Sequence, residues 1–84
     1  MDSLQNAKNI GKEMHHKLMS VGVNTLDELK EIGSKKTFLL LKQKYDNICL
    51  VHLYTLEAAI QNVELDKLTS DVKKDLKEFS DGTK

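Results

Sequence analysis

Proline is absent from this chain of 84 residues, and cysteine occurs once, at Cys49. Without proline, no position is barred from donating its backbone N–H, so nothing compels a helix to break early. A single cysteine excludes an internal disulfide and suits a reducing compartment. Arginine is also missing, because all thirteen basic residues are lysine. That removes the planar fork used to read guanine in two bonds at once, so base-specific recognition of DNA is not expected. No apolar run approaches the roughly 20 residues that span a bilayer, and the start MDSLQNAKNIGKE has no signal-peptide apolar region. The expectation is a cytoplasmic protein with no membrane partner.

Thirteen acidic residues balance the lysines, and a pI near 6.8 lacks the strongly basic field of a dedicated DNA binder. The balance is uneven along the chain. Residues 1–48 carry eight Lys against six Asp and Glu, a net of +2, and residues 49–84 carry five against seven, a net of −2. An anionic partner is thus expected on the N-terminal half. A chain of this length makes one domain, 1–84, which buries about 60 to 65% of its unfolded surface.

Apolar residues recur at helical spacing, and few places alternate like a strand. Gly11, Gly22 and Gly33 each follow an aliphatic residue at one spacing, which reads as loop, helix, loop, helix, loop. A short helix from Leu4 to near Lys8 is expected first. A second runs from Lys12 to Ser20, with Met14, Leu18 and Val21 on one face. Thr25 with Glu28 forms a capping box for a third, whose stripe is Leu26, Leu29 and Ile32. Ser34 is then expected to cap KKTFLLLKQKY, where Phe38, Leu41 and Tyr45 share a face. Asp46 and Asn47 are expected to cap the central helix, with Cys49, Leu53, Leu56 and Ile60 on one side. Thr69 or Ser70 caps the last helix, striped by Val72, Leu76 and Phe79, and residues 80–84 are expected to fray. The fold class is therefore all-α, a compact bundle of five or six short helices. Leu18, Leu29, Phe38, Leu41, Leu53, Leu56, Ile60, Leu76 and Phe79 are its expected core.

Two short helices joined at a glycine resemble the helix-hairpin-helix unit, whose free amides at a helix start face a phosphate oxygen. Around Asn9, the residues Ile10 and Gly11 with Lys8, Lys12 and Lys17 nearby are the candidate nucleic-acid site. The Gly22 turn is poorer, since Asp27, Glu28 and Glu31 crowd the following helix with their own negative charge. Against both stands a purely structural reading, in which the glycines only end helices. His15 and His16 are adjacent, about 100° apart on a helix, and cannot serve one metal from one turn. Cys49 and His52 share a face, but a structural zinc site takes four such ligands, so Cys49 is expected as a small core residue and no metal or cofactor is expected. Tyr45, Tyr54 and Phe38 fall on apolar stripes and read as core rather than stacking platforms. No nucleophile signature, nucleotide loop or convergent carboxylates mark an enzyme, and no small-molecule substrate is expected.

Taken together, Asn9-Ile10-Gly11, Leu18, Val21-Gly22-Val23, Thr25, Leu29 and Gly33, then LLLK and LVHLYTLEAAI with Leu53, Leu56, Glu57 and Ala59, resemble the C-terminal domain of the TfoX/Sxy family. That family comprises bacterial regulators of competence for DNA uptake. The resemblance covers residues 4–80 and implies a standalone copy of a unit that family regulators carry after an α+β domain. Asn9 departs from it by replacing the first Gly of the common Gly-x-Gly hairpin. The resemblance brings no catalytic residues and implies a module that acts by binding. Two partners are expected: DNA, held weakly by its backbone in a competence or DNA-related regulatory context, or else a protein.

Overall fold

The computed structural model describes residues 10–82; the expected Leu4–Lys8 helix lies outside them. Gly11 opens α1, Lys12–Ser20, in an extended conformation (φ −83°, ψ 176°) with no side-chain cap. It therefore does not use the positive φ that the glycine spacing suggested there. Gly22 does, at φ 89°. The Val23 N–H bonds the Leu18 carbonyl at 2.9 Å and the Gly22 N–H bonds Met19 at 3.1 Å, the paired closure of a Schellman motif. Leu18 and Val23 are fully buried beneath it.

Thr25 caps α2, Leu26–Ile32, by accepting the Glu28 N–H at 3.1 Å. Gly33 closes α2 and opens α3, Ser34–Lys44, at φ 93° and ψ 154°, a region that only glycine enters without strain. Ser34 is not the cap expected of it. It is the first helical residue, and its hydroxyl instead donates to Glu57 Oε1 at 2.6 Å. Tyr45 ends α3, and its hydroxyl sits 2.8 Å from Ser20 Oγ, while Lys44 Nζ donates to the Ser20 carbonyl at 3.1 Å. These two bonds tie the end of α3 to the end of α1.

The central helix α4, Leu50–Gln61, is capped by Cys49 and not by Asp46 or Asn47. Ile48 is buried, and once it takes the inward position the chain enters the helix with Cys49 facing solvent. Cys49 is exposed, contrary to its expected place in the core. Asn62 ends α4 in the left-handed conformation (φ 59°, ψ 44°), which asparagine tolerates better than other side-chain-bearing residues. A 3-10 turn, Leu65–Lys67, leads to Thr69, whose Oγ1 accepts the Val72 N–H at 3.2 Å. Helix α5, Ser70–Gly82, follows. It stays helical through Gly82 with Ser80 buried, so the fraying expected from residue 80 does not occur among the described residues.

The fold is all-α, and no strand occurs among the described residues. Helix α4 packs against α2, α3 and α5, and Ala58 and Ala59 on it are buried and small enough to let neighbours approach. Leu18, Leu29, Phe38, Leu41, Leu53, Leu56 and Leu76 form the core as expected. Ile60 and Phe79 are only partly buried at its edge. Phe79 meets Phe38 with ring centroids 6.5 Å apart and tilted by 59°, a favourable aromatic geometry.

Candidate functional site

At the start of α1 the five residues singled out from the sequence part company. Ile10 is buried and anchors the turn. Gly11 has open space around its Cα, and Lys12 is exposed at the first helical position. Glu13 follows in the first turn with its side chain 84% exposed, adding negative charge where a phosphate would sit. Lys17 does not join Lys12 on the surface. Its side chain is only 11% exposed, Nζ lies 3.3 Å from Glu13 Oε1, and it stands 5.3 Å from the Tyr45 ring centroid. Five positions separate Lys12 from Lys17, placing them about 140° apart around the helix. Lys17 therefore snorkels along apolar surface toward α3 and α4. Lys8 lies outside the described residues.

Other lysines are also engaged within the molecule. Lys35 pairs with Asp75 at 2.7 Å and lies over Phe79, and Lys42 lies over Phe38. Lys44 is bonded to Ser20. The described lysines are thus spread over several helices, not gathered at the first hairpin. Two large apolar side chains stand out in solvent, Met19 at 50% and Val51 at 57% exposure.

Behind α1, at the start of α4, sequence reasoning missed a small polar cluster. The Cys49 N–H donates to His52 Nδ1 at 3.0 Å, and Cys49 Sγ lies 3.4 Å from the same nitrogen. His52 thus reaches back to the cap as Glu or Gln does in a capping box. The three-residue spacing of Cys49 and His52 carries the signal, which is that of a cap and its N3 partner and not only that of two metal ligands. Burial, and then the Lys17 ammonium, push the His52 imidazole below its ordinary value, while Glu13 pulls upward by less. Taken alone, the amide bond works downward, because a protonated Nδ1 has no lone pair to offer. Among the described residues no group of three or more His, Cys, Asp or Glu is placed to hold a metal ion. No helix among them is long and apolar enough to cross a membrane.

Comparison with known proteins agrees with this architecture. Two solved structures from Listeria monocytogenes are 34% identical to this chain. A triclinic form of an uncharacterized protein superposes with a TM-score of 0.94, covering 96% of this chain and 92% of that one. A tetragonal form of a protein of unknown function gives 0.93, covering 96% and 99%. No curated protein matches. The family described as TfoX C-terminal domain matches over residues 1–80. With nearly its whole length covered, the chain belongs to the TfoX C-terminal domain family.

Proposed function

We propose that this chain is a non-enzymatic binding module that holds a protein partner, in the competence or DNA-related regulatory setting that its family supports. The placement of the lysines carries this reading. Lys17, Lys35, Lys42 and Lys44 are engaged with other groups of the fold, the described lysines do not gather at the first hairpin, and Met19 and Val51 stand exposed. Dispersed positive charge beside open apolar side chains favours contact with protein over a polyanion.

A second reading, a weak sequence-independent grip on DNA, has one observation in its favour. The α1 start presents exposed Lys12 beside a glycine with no side-chain cap, leaving first-turn amides for a phosphate. Titrating duplex DNA into the protein at low salt, read by fluorescence anisotropy, separates the two. The protein-binding reading expects no saturable binding. Saturable binding whose logarithmic salt slope is about −2 to −3, as two or three phosphate contacts give, and which disappears in Lys12→Glu, would install the DNA reading instead.

A further inference from the structure

Among the aliphatic residues that remain partly open are three from separate helices: Ile32 on α2, Ile60 on α4 and Val72 on α5. All three line one groove, together with the buried Leu76. Its volume is about 610 Å³, within the roughly 300 to 1,000 Å³ of ordinary ligand clefts. One side is the corner of α2 and α3, with Lys30, Gly33, Ser34, Lys35 and Lys36; the other is α5, with Asp71 and Asp75. Two carboxylates here are already engaged. Asp75 pairs with Lys35 across the groove, and Glu57 accepts from Ser34 and from Gln61 at 2.7 Å. Lys30 and Lys36 on one side and Asp71 on the other have no ion-pair partner among the described residues.

Unpaired charge of both signs above an apolar floor defines what fits. Nucleic acid meets Glu57, Asp71 and Asp75, and a purely basic tail meets three lysines. We propose that the groove docks a short mixed-charge peptide segment of a partner protein. Aliphatic side chains enter over Ile32, Ile60 and Val72, an acidic side chain meets Lys30 or Lys36, and a basic one meets Asp71. This rests on the protein-binding reading above and places its surface.

Selection of a displayed random-peptide library against the full chain tests it. Enriched peptides are expected to combine aliphatic, acidic and basic residues. One such peptide titrated into isotope-labelled protein is expected to shift the amides of Ile32, Gly33, Ile60 and Val72. Its affinity is expected to fall about tenfold or more in Lys36→Glu, a loss of about 1.4 kcal/mol. Asp71→Lys is expected to turn selection away from basic residues. Both positions are exposed, so these variants leave the core untouched. Shifts centred on Met19 and Val51 would overturn the groove while leaving protein binding standing. Groove shifts that follow protein concentration without peptide would also overturn it, by making a second copy the occupant. If no peptide is enriched and DNA binds as above, both readings fall together.

Discussion

Thr37 shows how much one side chain leaves unsettled in a core this small. It is fully buried on α3, and its hydroxyl finds no hydrogen-bond partner among the described residues. A buried unpaired polar group carries a desolvation cost of about 1 to 3 kcal/mol. Thr37→Val keeps the shape and removes the hydroxyl, so urea denaturation is expected to show a gain of about 1 kcal/mol. An unchanged or lower midpoint would mean that the hydroxyl has a partner after all. His52 makes the corresponding argument for charge. Its folded pKa lies below the ordinary 6.5, so the unfolded chain binds more protons in the window between the two values. Stability is then full above about 6.5, declines as pH falls below it, and levels off beneath the folded value. Comparing urea midpoints across that window with those of His52→Gln tests this, since glutamine still reaches the Cys49 amide but does not titrate. The variant is expected to lose less stability on acidification; parallel curves would refute the assignment.

At the scale of elements, the helix ends marked by Gly22, Gly33 and Thr25 were legible in the sequence, because their chemistry is local. Gly22 and Gly33 take positive φ and Thr25 accepts from Glu28 as the spacing implied. Gly33→Ala is expected to cost about 1 to 3 kcal/mol, since alanine must enter a region nearly closed to it. Nothing lies within 4 Å of the added Cβ, so the loss is conformational rather than steric. Gly11→Ala, at φ −83°, is the control and is expected to show no such penalty. The start of α4 was misread for a reason of register. Cys49 fits the helical period of Leu53 and Leu56, and periodicity alone does not distinguish a cap from a first-turn residue. Burial of Ile48 decided the matter, and that depends on where the turn before it comes to rest.

For the molecule as a whole, the class and most of the core followed from apolar spacing, whereas the surface did not. Lys17 was expected on the surface beside Gly11; Tyr45, which draws it inward, is far along the chain, beyond any local pattern. The groove of Ile32, Ile60 and Val72 is likewise assembled from three separate helices, so its residues looked like core when read one helix at a time. Gly33 carries one more consequence for the whole chain. A single residue serves as the end of α2 and the start of α3, so that corner holds no slack. Lengthening the chain there by one residue would turn everything beyond it by about 100° about the α3 axis, swinging Phe38 and Leu41 off the core. Between α4 and α5, by contrast, the chain passes through a separate 3-10 turn, Leu65–Lys67, and not through one shared residue. Inserting one alanine after Gly33 is therefore expected to abolish cooperative unfolding, and inserting it after Glu64 to leave that transition in place.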